Sequence, residues 1–355
     1  MKIFTIAIAL LISSAHFAQT DSTSTVLSGT LLVDSIAESQ KIYNDGISSL
    51  EKNAFEKAVE QFTQSLTFNP SFDKNYYNRG LAYKELKIYS KALEDFETYT
   101  STAENKDLAY YEMYRIKLEL NEESAADRYL ELAMLNNPSE PKYSYERGVK
   151  RFQDGNYDGA IADFSTAIAA DKNYAYAYND RGSAKLQKGD TQGAIEDYRM
   201  AVISNKSLPF VYNNLGTALR KAEKYQEAID NYTKALLLDD KYFIAMNNRG
   251  LAKFENKQYE EAVKDFSEAI KLNPKYAFAY NNRASAYLKL KKYKEAETDC
   301  TKAIDLDGSY GYAFFNRGIA REMLRLVEQA CSDWRTAAEL GIKSAEAYYN
   351  STCNE

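Results

Sequence analysis

Residues 243–276, FIAMNNRGLAKFENKQYEEAVKDFSEAIKLNPKY, and residues 277–310, AFAYNNRASAYLKLKKYKEAETDCTKAIDLDGSY, are consecutive copies of one 34-residue unit. The small residue closing the Asn-Arg-Gly triplet recurs along the chain. It stands at Gly46, Gly80, Gly148, Gly182, Gly216, Gly250, Ala284 and Gly318, with one doubled step across a degenerate unit. Nine units run from residue 39 to residue 344 without an insertion. A unit of this length cannot bury its apolar face alone, so the copies must stack into a solenoid. A solenoid offers a long surface instead of a closed pocket, so binding is the first functional expectation.

Numbering each unit from 1 to 34 places Ala at position 20 in every copy, from Ala58 to Ala330. Position 24 is bulky in all but one: Phe62, Phe96, Leu130, Phe164, Tyr198, Tyr232, Phe266, Cys300 and Trp334. Position 27 is Ala from Ala133 to Ala337. The spacing 20, 24, 27 is one face of a helix, and 4, 8, 11 repeats it earlier in the unit. Each unit therefore reads as helix A, a turn near positions 15–17, and helix B. Pro70, Pro138 and Pro274 fall just past helix B, and Pro141 and Pro209 in the first turn of helix A. A missing N–H does little harm at either place.

The remaining segments are short. Residues 1–18 combine Lys2, the apolar run Ile3 to Ile12 and small residues up to Ala18, the pattern of a cleaved secretory signal. Residues 19–38 read as a Ser/Thr-rich leader, flexible through residue 35, and 345–355 as a capping helix with a tail. No later segment is apolar enough to cross a membrane, so no span is expected after cleavage. The net charge of −6 lacks the electrostatic footprint of a nucleic-acid binder. The single histidine, His16, lies inside the signal. The mature chain thus lacks histidine triads and His-ligated zinc. No catalytic residue, metal ligand or cofactor motif stands out.

The pattern of large-4, Gly/Ala-8, Tyr-17, Ala-20, aromatic-24, Ala-27 and Pro-32 resembles the tetratricopeptide repeat (TPR) family. Tyr89, Tyr157, Tyr225, Tyr259 and Tyr293 supply position 17. Unit 3 departs most, with Tyr114 at position 8. The resemblance implies an all-α, right-handed superhelical solenoid of antiparallel helix pairs with a concave groove lined by A helices. It also implies protein binding, usually without catalysis. Residues 330–350 are similar to the related Sel1-type variant, with a cap helix near 343–351.

Comparing the copies reveals a pair. Position 7 is Arg79, Arg147, Arg181, Arg249, Arg283 and Arg317 in six units, and position 23 of the same units is Asp95, Asp163, Asp197, Asp265, Asp299 and Asp333. The other three units lack both partners. This co-variation predicts a structural ion pair between helices A and B, of bidentate geometry.

At 100° per residue, positions 2, 5, 6 and 9 of helix A face away from positions 4, 8 and 11. Position 5 holds Asn179, Asn213, Asn247 and Asn281, and position 6 holds Asn214, Asn248, Asn282 and Asn316. Position 2 holds Tyr176, Phe210, Phe278 and Tyr312, with Ile244 between them. Asparagine is a poor helix former, yet its amide can pair with any peptide backbone. These residues are candidates for a groove that binds extended segments of other proteins, similar to the asparagine-lined superhelix of O-linked N-acetylglucosamine transferases. The alternative is that the amides bridge neighbouring A helices. Position 9 lacks the Asn of the carboxylate-clamp subtype.

Cys300 replaces a core ring, whereas Cys331 and Cys353 are candidates for a disulfide that pins the cap. The leading expectation is an exported, non-catalytic interaction scaffold, periplasmic or secreted. A second is a structural envelope component that self-associates or bridges through its convex face.

Overall fold

The computed structural model describes residues 26–353, with side chains from residue 33 onward. The signal expected over residues 1–18 lies outside them. Among the described residues every regular element is an α-helix. The chain divides into two compact units, residues 1–143 and 144–355. The first contains α1 (Val26–Glu51), α2 (Phe55–Phe68), α3 (Asp73–Glu85), α4 (Tyr89–Thr102), α5 (Asp107–Glu119) and α6 (Glu123–Asn136). The unit boundary falls within α7 (Pro141–Gln153). The second continues with α8 (Tyr157–Ala170), α9 (Ala175–Gln187), α10 (Thr191–Ser204), α11 (Pro209–Lys221), α12 (Tyr225–Leu238) and α13 (Phe243–Glu255). It closes with α14 (Tyr259–Leu272), α15 (Ala277–Lys289), α16 (Tyr293–Leu306), α17 (Gly311–Met323), α18 (Val327–Glu339) and α19 (Lys343–Thr352). Within each unit the chain is a solenoid of antiparallel helix pairs, odd-numbered A helices alternating with even-numbered B helices up to α18.

Every A-to-B turn has the same chemistry. Position 15 adopts positive φ throughout, at Asn53, Lys87, Asn121, Gly155, Gly189, Glu223, Lys257, Lys291 and Arg325. The next residue's N–H reaches back to position 11, as from Ala54 to Ser49 O at 2.9 Å. This satisfies carbonyls that the end of helix A would otherwise leave orphaned.

The two helices of a pair approach closely because position 8 has no side chain. A Cβ on Gly250 would lie 2.8 Å from the Phe266 ring, and one on Gly46 2.5 Å from the Phe62 ring. Where the ring is missing, the glycine is missing too. Ala284 faces the pair holding Cys300, and Tyr114 the pair holding Leu130, all four buried. Position 8 is therefore set by the volume at position 24.

The arginine at position 7 ties the pair together and also ties it to its predecessor. Arg79, Arg147, Arg181, Arg249, Arg283 and Arg317 each donate two bonds of 2.7–3.0 Å to the aspartate of their own unit. The aspartates are buried. In four units a second cation reaches the same carboxylate: Arg151, Lys185, Lys253 and Arg321. The remaining guanidinium nitrogen extends to a hydroxyl at position 25 of the preceding repeat. These contacts join Arg79 to Thr63, Arg181 to Ser165, Arg249 to Thr233, Arg283 to Ser267 and Arg317 to Thr301 at 2.9–3.3 Å.

The two ends differ from the sequence expectation in one respect. Helix α1 begins at Val26, so the leader from residue 26 onward is helical, not flexible. Once a helix is nucleated, each added residue gains a hydrogen bond at the cost of fixing only itself. No proline interrupts the stretch, and Ser35 Oγ donates to Phe68 O at 2.7 Å. At the other end, α19 covers the last pair. Tyr348 packs 5.3 Å from Phe315 and 5.2 Å from Trp334, and a Cys331–Cys353 disulfide holds the helix down. Closing that loop contributes about 3 kcal/mol in the chain-entropy view. Cys300 is a free, buried thiol, and burial pushes its pKa up.

Two measurements check this packing. Gly250→Ala is expected to cost about 1–3 kcal/mol by urea denaturation, and the cost should vanish in a Phe266→Cys background. Equal costs in both backgrounds would show that the ring does not dictate the glycine. Unfolded without reductant, the chain should expose one thiol to a chromogenic thiol reagent, and after reduction all three. Three reactive thiols before reduction would rule out the bridge.

Candidate functional site

The candidate groove residues lie on α9, α11, α13, α15 and α17, all within the second compact unit. Successive A helices are joined by a repeated rung. The position-6 amide of one repeat donates to the position-5 amide of the repeat before it. Asn214 reaches Asn179, Asn248 reaches Asn213, and Asn282 reaches Asn247, each at 3.0 Å; Asn316 reaches Asn281 at 2.9 Å.

Burial separates the two positions. Asn179, Asn213, Asn247 and Asn281 are only 4–7 % exposed. Their own N–H groups turn to local partners: Asn179 to Asp180 at 2.8 Å, Asn213 to Asn214 at 3.3 Å, and Asn281 to the Tyr310 hydroxyl at 3.1 Å. These four amides bridge helices and are not presented to solvent. The helical-wheel reading placed them opposite their own B helix, which is correct, but each A helix is also flanked by other A helices. Buried amides need partners, and the neighbouring repeat supplies them. The position-6 amides remain half-exposed.

The rung changes chemistry with its members. Tyr145 donates to Asp180 at 2.7 Å, and in the first compact unit Asn78 donates to the Tyr43 hydroxyl at 2.9 Å. Tyrosine at position 5 therefore meets either an acid or an amide at the next position 6, while asparagine meets asparagine. The signal was present in the sequence. It required comparing position 5 of one copy with position 6 of the next, not the columns of a single copy. The position-25 hydroxyls carried a similar signal. They occur wherever the following repeat has its arginine, except ahead of Arg147.

The aromatic candidates are presented outward. Tyr176 is 45 %, Phe278 51 % and Tyr312 57 % exposed, with Ile244 at 39 % and Phe210 half-buried. Tyr176 and Phe210 stack at 5.9 Å, and Phe278 packs between Tyr276 and Tyr310 at 5.5 and 5.1 Å. Phe278 is held by two rings from outside the row, and Tyr176 and Phe210 hold each other, so a ligand would meet preformed surface at these three side chains.

Sequence profiles described as tetratricopeptide or TPR repeats match residues 73–106, 145–209, 209–242, 250–291 and 277–310. Three of these spans share the frame of the 34-residue unit. The chain is a tetratricopeptide repeat protein. It therefore belongs to a class of non-catalytic scaffolds for protein–protein interaction. None of the curated proteins matches it. Among solved structures, it is similar to a tetratricopeptide repeat protein from Parabacteroides merdae ATCC 43184, at 19% identity and a TM-score of 0.56, over 70% of this chain and 99% of that one. It is similar to the APC/C hetero-tetramer Cut9–Hcn1 at 14% identity and 0.54, over 89% and 76%. It is also similar to pilF of Pseudomonas aeruginosa at 21% and 0.52, over 60% and 96%. At these identities the likeness is one of fold. Among the described residues no cluster of His, Cys, Asp and Glu could hold a metal ion, and no helix is long and apolar enough to cross a membrane.

Asp180 gives a test of the rung. Burial raises its pKa above the ordinary 3.8, against the lowering effect of hydrogen bonds from Tyr145 and Asn179. A raised carboxyl pKa means that the ionised form costs folding stability, a cost that appears as pH rises from the unfolded value through the folded one. Asp180→Asn can keep the Tyr145 bond without the charge. It should raise the melting temperature at pH 7 and match the wild type well below pH 3.8. A destabilised variant at pH 7 would show that the carboxylate is needed as an anion.

Proposed function

We propose that this protein is exported and binds extended segments of partner proteins along the face built by α9, α11, α13, α15 and α17. The observation that carries the reading is the outward row of Tyr176, Phe210, Ile244, Phe278 and Tyr312, one at each step from α9 to α17, with Phe278 held by Tyr276 and Tyr310 and Tyr176 stacked on Phe210. Aromatic side chains bring large contact area at low entropic cost, and they dominate the energetics of protein interfaces. The half-exposed amides of Asn214, Asn248, Asn282 and Asn316 stand beside the row; each gives one N–H to its rung, and Asn248 and Asn282 keep a second N–H and an oxygen for a ligand. Neighbouring A helices lie about 10 Å apart, and an extended chain rises about 3.3 Å per residue. One step of the array therefore meets every third residue of a bound segment. The buried asparagines at position 5 serve this face by fixing the helix spacing.

All nine 34-residue units belong to the array in this reading, the last being of Sel1 type. Export is supported by the N-terminal apolar run and by the Cys331–Cys353 bridge, which persists in an oxidising compartment. The site calls for no cofactor and no nucleic acid.

The test is affinity capture from an envelope extract, with residues 19–355 as bait beside a Tyr176→Ala, Phe278→Ala, Tyr312→Ala variant. The variant should retain the wild-type circular dichroism and melting temperature. It should lose partner capture by about tenfold or more. Equal capture by both baits would remove the aromatic row from the binding site.

A further inference from the structure

The arginine lattice is broken in three repeats, and they resolve the loss differently. The first repeat carries Gln61 at position 23, and Ser49 Oγ donates to it at 2.6 Å. The third carries Met113 and Tyr129. Met113 is 1 % exposed and Tyr129 stacks on Tyr110, so large side chains refill the volume. The sixth carries Leu215 and Asn231, and nothing refills it. A surface cavity of about 520 Å³ opens there, between α10, α11 and α12. Leu215 and Asn231 line it, as do Val202 and Ile203.

The rim of this cavity has the opposite sign from the protein. Arg199, Lys206 and Lys234 line it against one acid, Glu227, in a chain of net charge −6. Arg199 stands at position 25, where the intact junctions carry a hydroxyl. It donates to Glu227 at 3.0 Å, with both side chains about half exposed (48% and 50%). Lys206 and Lys234 are exposed, and the one lining acid, Glu227, is paired with Arg199. Ile203, at 66 % exposure, offers an apolar wall. An open slot does not enclose a small molecule, which needs most of its surface buried. It suits one side chain projecting from a segment that lies across it.

We propose that this slot binds an acidic segment of a partner protein, seating one large apolar side chain against Ile203, Val202 and Leu215. Flanking carboxylates of the segment meet Lys206 and Lys234. The site lies on the B-helix side and is independent of the aromatic row.

The probe is a phage-display library of random dodecapeptides, panned on the full mature chain. Wild-type protein should enrich peptides with one large apolar residue flanked by Asp or Glu. Two variants separate the site from the fold. Leu215→Arg with Asn231→Asp and Arg199→Thr rebuilds the lattice of the neighbouring repeats and fills the slot. Lys206→Glu with Lys234→Glu changes only exposed positions. Both should bind the enriched peptides about tenfold or more weakly by fluorescence anisotropy, while the Tyr176, Phe278 and Tyr312 alanine variant binds them as wild type does. No enrichment, a motif without acids, or undiminished binding by the two slot variants would overturn the proposal. So would wild-type self-association in light scattering that the rebuilt variant abolishes, because the occupant would then be a second copy.

Discussion

The distance between the two helices of a repeat is set by a ring lying on a bare backbone. With no Cβ at position 8, the aromatic at position 24 comes into direct contact with helix A, and the pair closes to a fixed separation. At that separation the arginine at position 7 spans to the aspartate at position 23, and its remaining nitrogen reaches the preceding repeat. A charge pair buried at this depth is a poor source of stability by itself. Its value here is directional, since a planar fork with bonds to both its own helix pair and its neighbour admits one register.

The polar contacts between repeats fall into two layers. One is charged and, in the six repeats that carry the arginine, joins the A helix to B helices through Arg, Asp and, in five of them, a hydroxyl. The other joins A helix to A helix through amides and tyrosines and, at Asp180, a carboxylate. Both are built from side chains that would be costly if left unpaired in a buried position. Stacking errors, such as a repeat displaced by one helical turn, would orphan members of both layers at once. The alanines at positions 20 and 27 recur from copy to copy and do not by themselves discriminate between registers.

Much of this was legible because the chain contains its own alignment. The period, the helix boundaries at Pro141 and Pro209, and the role of Arg249 with Asp265 can all be read by comparing copies. What escaped was whatever crosses from one copy to the next. Thr233 looks unremarkable within its own repeat, and its partner, Arg249, lies in the following one; for Asn247 the sequence offered both a groove and a bridge between A helices, and its partner Asn282 decides for the bridge. A helical wheel describes an isolated cylinder, so it could not choose between the groove and the bridge for Asn247, which a neighbouring helix covers. The helical character of residues 26–38 escaped for another reason. Composition registers Ser and Thr as flexible, but it does not register a helix already nucleated next door.

The amide rungs also carry a sense of direction. Each position-6 amide donates toward the N-terminal neighbour, and Asn179 passes its own N–H to the carboxylate of Asp180. A repeat with Asn at both positions presents the same acceptor and the same donor as the next such repeat, so the amide rungs between them are interchangeable. The repeat holding Asn179 and Asp180 is different, because it receives a tyrosine hydroxyl from one side and an amide from the other. It works as an adapter between two dialects of the same unit. The seam on its N-terminal side therefore pairs a hydroxyl with an acid, and the seam on its C-terminal side pairs two amides.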